Sequence, residues 1–378
     1  MYDIREINTI EALEELRPLW QSLLSETPDA NFFYTLDWLL VYWRHYGAGQ
    51  RLRTLVVYHE GQPLGILPMV VRRERRKIGS ISVLTYPLDD WGSWYSPLGP
   101  CPQETLTAGI RHFLETERDW DVFDVRWVAE HFDARRQTES ALADAPLPTM
   151  SEVRSVTALI DLNTTWDAYL QSFTTKWRNN FKRWQRRLSE QGELQLVRYR
   201  PAGSAAGDDD PRWDLYDTCE EIASRSWQGA SSDGTTLSSE SIRPYLRDLH
   251  QAAARTGNVE INLLMAGTTP LAYAYNYYHW GRIYGLRIGY DPQSARDGAG
   301  NVLYAFAVRD SFERGDTLYD MGPGSLDYKQ HWATQLVPLR QYTHFNPASI
   351  KGRLLHSAHR TRRWLRERNG SPHPEAAA

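Results

Sequence analysis

The chain has 378 residues, 41% of them apolar, with 15 Trp and 21 Tyr, and a formal net charge of -4 at pH 7. That length allows two or three domains with proper cores, while the acidic balance argues against a protein whose main partner is a polyanion. The two distant cysteines, Cys101 and Cys219, form neither a CxxC pair nor a disulfide framework, which fits a reducing compartment. The stretch "MYDIREINTIEALEEL" is charged throughout, and no run approaches 18 apolar residues, so the expectation is a cytoplasmic protein with no signal peptide and no membrane span.

From the amino end, "YDIREI" alternates as a strand, and "IEALEELRPLWQSLLSE" and "FFYTLDWLLVYWRHYG" carry helical spacing. "LRTLVVYHEGQPLGILPMVVRRE" predicts two strands around a turn, and "ISVLTY" a further strand running into an aromatic loop near Trp91. The helix "PQETLTAGIRHFLETE" and the strand "DVFDVRWV" complete a first domain, 1–135. Periodicity then fades in the Ala-, Pro- and Ser-rich stretch 136–151, which predicts a linker. A second domain, 152–350, opens with the strand "SVTALIDL" and one long helix over 165–191. A strand and two helices come next, then three strands from 259 to 290, a helix led by Asn301 and two last strands. A basic tail, 351–378, closes the chain. "TLVVYHEGQPLGILPMV" and "INLLMAGTTPLAYAYNY" echo each other, which with the matched element order predicts two copies of one α/β unit.

The strongest local signal is "YDPQSARDGAGNVLYAFAVRDSFERG". A strand ends at Tyr290, and a loop with Gly298 and Gly300 leads into a helix. Backbone N–H groups at a helix start, with glycines permitting close approach, suit a diphosphate; a flexible helix start is the plainer reading. Alternation in the preceding strand predicts Tyr284, Leu286, Ile288 and Tyr290 on one face, with Ile283, Gly285, Arg287 and Gly289 on the other.

The stretch "GYDPQSARDGAGNVLYAFAVRDSFERGDTLYDMGPGSLDYKQHW" resembles the GNAT acyltransferases, in particular the cellulose-biosynthesis-type branch related to Fem-type aminoacyltransferases. "FFYTLDWLLVYWRHYG", "LVVYHEGQPLGILPM" and "WDAYLQSFTTKWRNNFKRWQRRLSEQGELQL" share the likeness. The resemblance implies a mixed α/β (α+β) fold of two tandem GNAT-like domains, each a mostly antiparallel twisted sheet flanked by helices, with the cofactor site in the second. It implies acetyl-CoA as co-substrate, held by Arg287, Gly289, Arg296, Gly298, Ala299, Gly300 and Asn301. Tyr275, Tyr290, Asp291 and Trp332 would contact the acceptor. Ala295 stands where the family's loop usually has Gln or Arg.

Acyl transfer to an amine needs deprotonation, oxyanion stabilisation and protonation of the leaving group. In "YDMGPGSLDYKQHW", Asp320 is a candidate to orient or deprotonate the nucleophile, or else caps the turn "MGPG". Lys329 would bind an acceptor anion or stabilise the oxyanion, as the Fem-type likeness implies, and Tyr328 would protonate a leaving thiolate. Asp291 pairs with Arg287 or Arg296 on the plainer reading. No His/Cys/Asp cluster has metal-ligand spacing and no Ser-His-Asp signature occurs, so direct transfer without a metal or a covalent intermediate is expected.

The basic stretch "KWRNNFKRWQRRL" belongs to an apolar stripe, Trp166, Leu170, Phe173, Trp177, Phe181, Trp184 and Leu188. Its Lys and Arg residues fall on two flanks, so its aromatics do not form a stacking platform for single strands. Three readings follow: an acyl-CoA-dependent N-acyltransferase acting on a small amine, amino sugar or sugar nucleotide in envelope or polysaccharide metabolism; a Fem-like aminoacyl-tRNA-dependent transferase; or a non-catalytic scaffold of the same fold in an exopolysaccharide pathway.

Overall fold

A computed structural model of the chain describes residues 2–87, 92, 95–129, 136–230, 236–293, 295 and 298–368. Strand β1 (Tyr2–Ile7) leads to α1 (Ile10–Glu14) and α2 (Arg17–Glu26). Apolar spacing predicted one helix here. Pro18 lacks the N–H that an interior position would donate, so it opens a second helix instead. α3 (Leu36–Tyr46) is capped by Thr35, whose hydroxyl accepts the Trp38 N–H at 3.1 Å. There follow β2 (Arg51–Leu52), β3 (Thr54–His59), β4 (Gln62–Leu67), β5 (Val70–Arg76), β6 (Gly79–Thr85), α4 (Pro102–Glu115), β7 (Val122–Ala129), α5 (Gln137–Asp144) and β8 (Met150–Asp161).

The chain continues through α6 (Trp166–Ser172), α7 (Thr175–Ser189), β9 (Leu194–Tyr199), α8 (Trp213–Arg225), α9 (Arg243–Arg255), β10 (Val259–Ala266), β11 (Thr269–His279), β12 (Arg282–Tyr290), α10 (Ala299–Arg314) and β13 (Leu318–Pro323), then β14 (Gln335–Phe345) and α11 (Ile350–Arg368). Two units divide these elements, Met1–Val156 with Val337–Ala378, and Thr157–Leu336. This corrects the expected division into 1–135, a linker at 136–151 and 152–350. Within the expected linker, α5 buries Thr138, Ala141 and Leu142. β14 returns to the first unit because it pairs antiparallel with β7, and α11 returns with it. A helix of two turns shows little periodicity, and long-range strand pairing leaves no local mark in the sequence.

Each unit contains the same core. In the first, β5 and β6 are antiparallel, and α4 carries the chain to β7, which runs parallel to β6. In the second, β10, β11 and β12 form an antiparallel meander, and α10 carries the chain to β13, parallel to β12. The fold class is the expected one: two GNAT-like α/β units, each with a mostly antiparallel sheet flanked by helices. Trp20, Leu39, Tyr42, Val56 and Ile66 fill the first unit's core, and α10 packs Val302, Leu303, Ala305 and Val308 into the second's.

The helix predicted over 165–191 is two helices. Phe173 is extended, and the Thr174 hydroxyl accepts the Trp177 N–H at 3.2 Å, a cap worth about 1 kcal/mol that starts α7 afresh. The apolar stripe nevertheless faces inward. Trp177, Phe181 and Trp184 pack on the core, with Phe173 and Trp177 stacked at 4.1 Å, and the bases are left outside.

Candidate active site

The site is built where β12, β13 and the start of α10 come together. β12 and β13 pair in parallel over three residues only, ending at Tyr284 and Asp320. Gly285 and Gly322 then cross closely: a Cβ on Gly322, which has φ +77°, would lie 2.2 Å from the Gly285 carbonyl oxygen. No larger residue fits there.

Asp320 is fully buried. Its Oδ1 accepts the Thr157 hydroxyl at 2.5 Å and the Gly322 N–H at 2.7 Å, so the turn-capping geometry is present. Lys329 is 6% exposed, and its Nζ donates to the carbonyls of Gly322 and Pro323 at 2.8 and 3.0 Å. Burial lowers the amine's pKa to about 8, with the Arg287 guanidinium pushing the same way and the Asp320 carboxylate opposing both. Tyr328 lies beside it, with Nζ 5.9 Å from the ring centre. Burial raises the Tyr328 phenol, which is hydrogen-bonded to Tyr304. Asp320, Tyr328 and Lys329 are therefore brought together, with Arg287 close by.

The amino end of α10 supplies the second part. Its first-turn N–H groups, including those of Ala299, Gly300 and Asn301, have no acceptor within the helix, and Gly298 offers no capping side chain. The two glycines differ. Gly298 has φ +94°, and a Cβ there would meet the Trp184 indole of α7 at 2.3 Å, whereas a Cβ on Gly300 meets nothing within 4 Å. Gly298→Ala should therefore cost roughly 2–3 kcal/mol in urea unfolding, through strain and displacement of Trp184, and Gly300→Ala less than about 1 kcal/mol. Equal losses at both positions would contradict this geometry. Ala295 is buried beside Leu188 and Val302, so the loop presents no polar side chain at that position.

Other expected residues lie elsewhere. A bulge at Leu286 shifts the register between Tyr275/Arg287 and Asn276/Gly285, so Ile283 and Ile288 both pack toward α10; the predicted alternation fails beyond that point. Gly289 makes room for the Tyr273 ring, 2.7 Å from where a Cβ would sit, so packing explains this glycine. Tyr275 is a core residue bonded to His250 at 3.2 Å, not an acceptor contact. Burial holds that imidazole at about 4 and therefore neutral. Asp291 is buried, and its carboxylate accepts from Arg225 of α8 at 3.0 Å. Trp332 is 1% exposed. It is set perpendicular to Trp177, and its indole donates to the Asn301 side chain at 3.2 Å, so both residues brace the site from behind. Tyr290 is exposed. Arg296 and most of the aromatic loop around Trp91 lie outside the described residues.

Thr157, Tyr304 and the contact of Trp184 with Gly298 were not legible in the sequence, each being brought in by sheet or helix packing. Nor was the ion network at the far end of α10. There the fully buried Glu260 accepts from Arg198 and Arg200, and Arg200 also donates to Asp316 at 2.8 Å. Among the described residues no group of His, Cys, Asp and Glu is placed to hold a metal ion, and no helix is long and apolar enough to cross a membrane.

The second unit is thus a meander closed by a strand–helix–parallel-strand crossover, with Asp320 on β13 and Lys329 just beyond it both buried. Residues 175–330 match the family model described as "Acetyltransferase (GNAT) domain", which supports an acyltransferase. The crystal structure of FemX is similar in fold, with a TM-score of 0.59 at 13% identity over 91% of this chain and 97% of that one. So is the C-terminal DUF2156 domain described as that of a lysylphosphatidylglycerol synthetase from Agrobacterium fabrum, with a TM-score of 0.51 at 12% identity over 91% and 96%. No curated protein matches the chain.

Proposed function

We propose that Thr157–Leu336 transfers an acyl group, with acetyl the first candidate, from acyl-CoA directly to an amine of a small molecule, amino sugar or sugar nucleotide, in polysaccharide or envelope metabolism. The observation that carries this reading is Lys329. Its buried ammonium is fixed by two carbonyls, and Trp332, three residues further on, donates to Asn301 in the first turn of α10. The helix start receives the CoA diphosphate. The amine nitrogen attacks the thioester carbon, the carbonyl oxygen gains charge that Lys329 stabilises, and the C–S bond breaks as Tyr328 gives its proton to the sulfur. Asp320 holds the Lys329 charge in place and receives the proton leaving the amine.

Thermal denaturation with acetyl-CoA tests this. Acetyl-CoA should raise the melting temperature of the wild-type chain, and Gly300→Glu should abolish the shift. Because Gly300 faces open space, the added carboxylate blocks the anion site electrostatically and leaves packing intact. No shift with any acyl-CoA would overturn the reading.

One observation favours a second reading. α7, with exposed Lys176, Lys182, Arg183, Arg186 and Arg187, touches the donor loop through Trp184 and Gly298. An aminoacyl-tRNA donor would use those bases, and gel shifts with charged tRNA at two salt concentrations would reveal it by a steep salt dependence.

A further inference from the structure

The first unit carries a surface that acyl transfer does not use. α11 turns Gly352 inward, yet Ile350, Leu354, Trp364 and Leu365 are 68, 52, 54 and 44% exposed. At 100° per residue those four fall within an arc of about 100°, on the side away from Gly352 and His359. The segment 351–368 has seven Lys or Arg and one Glu in a chain of net charge -4, and Lys351, Arg353 and Arg360 border the apolar ridge on both sides.

A second element repeats the pattern. The tip of the β5–β6 hairpin reads Arg75, Arg76, Lys77 and Ile78, with the Ile exposed. It is tied to α11 by the Lys351 Nζ, which donates to the Ser80 carbonyl at 2.6 Å, and the two elements line one groove of about 670 Å³. Further along β5, Arg72, Arg73, Arg126 and Arg154 line a cavity of about 660 Å³ whose single acid is Glu74.

Helix, hairpin tip and cavity thus combine exposed aliphatic and indole side chains with a dense cationic border. A polynucleotide would take up the bases and leave the ridge in water. A second copy of α11 would bring like charges together. An anionic lipid surface satisfies both features, with the ridge at the acyl boundary and the bases among headgroup phosphates. The rest of the chain is acidic on balance, and α7 turns its apolar stripe inward, so this is the basic face that also exposes an apolar ridge. We propose that α11 and the β5–β6 hairpin tip dock the protein on an anionic bilayer surface.

Co-sedimentation of the full chain with vesicles tests it, using phosphatidylcholine alone and phosphatidylcholine mixed with phosphatidylglycerol, at low and high salt. Binding should be roughly tenfold or more tighter on the anionic vesicles, weaken with salt, and fall at least ~tenfold in Leu354→Glu/Leu365→Glu. Circular dichroism should show the double variant folded, and Trp364→Ala serves as the second variant if it is not. No binding, equal binding to neutral vesicles, or undiminished binding by the folded variants would overturn the proposal. So would displacement from vesicles by RNA, or a concentration-dependent dimer abolished by the same variants.

Discussion

Lys329→Ala should lower kcat for acyl transfer by about two to three orders of magnitude while leaving acetyl-CoA affinity nearly unchanged. The amine is buried and held by the Gly322 and Pro323 carbonyls, so it is positioned before the oxyanion forms, whereas the CoA diphosphate is assigned to the amino end of α10. The wild-type enzyme should lose kcat as pH rises through about 8, where the ammonium deprotonates, and the residual activity of Lys329→Ala should lack that limb. Unfolding cannot imitate this result. A lysine whose folded-state pKa lies below its ordinary 10.5 binds fewer protons folded than unfolded, so its contribution to stability improves between pH 8 and 10.5 as activity falls. Steady-state kinetics from pH 6 to 10, with acetyl-CoA binding measured separately, check the prediction. An unchanged kcat in the variant would remove Lys329 from the chemistry.

Glu260→Gln should destabilise Thr157–Leu336 by roughly 3–5 kcal/mol, lowering its thermal midpoint by about 10 °C. The fully buried carboxylate is shared by Arg198 and Arg200, and Asn262 and Asn276 also donate to it. The neutral amide would leave two buried guanidinium groups short of charge. The arginines hold the Glu260 pKa at about 2 against the cost of burial. Its contribution, about 3 kcal/mol, is therefore full above pH 4.5 and disappears as pH falls through 2. Calorimetry of the variant should show the lower midpoint at pH 7 and a flatter dependence of stability between pH 5 and 2. A change below about 1 kcal/mol would mean the network is not worth what its burial implies. Because Arg198 also reaches Asp310 on α10, and Asp316 follows that helix, the network fixes the end of α10 opposite the donor site.

Much of this was legible in the sequence because local chemistry wrote it there. The strand–glycine–helix transition around Gly298, the three-strand run from 259 to 290 and the inward aromatic stripe of α7 each follow from nearest-neighbour propensity and periodicity. The grouping of Asp320, Tyr328 and Lys329 was legible from a ten-residue span. What escaped has one cause in several forms, namely contacts between residues distant in sequence. Thr157 reaches Asp320 across a strand pairing, Trp184 dictates Gly298 across a helix packing, and Tyr273 accounts for Gly289 across a hairpin. A one-residue bulge at Leu286 was enough to reverse the faces of β12, since side chains alternate with period two. The boundary near 136–151 failed similarly, because α5 is short and β14 joins the first unit through β7.

A crystal structure with a non-hydrolysable acetyl-CoA analogue would locate both ends of the donor. The diphosphate should lie on the backbone N–H groups of Ala299, Gly300 and Asn301, with the thioester carbonyl within hydrogen-bond reach of the Lys329 Nζ. An analogue bound away from the amino end of α10, or a thioester remote from Lys329, would contradict this placement.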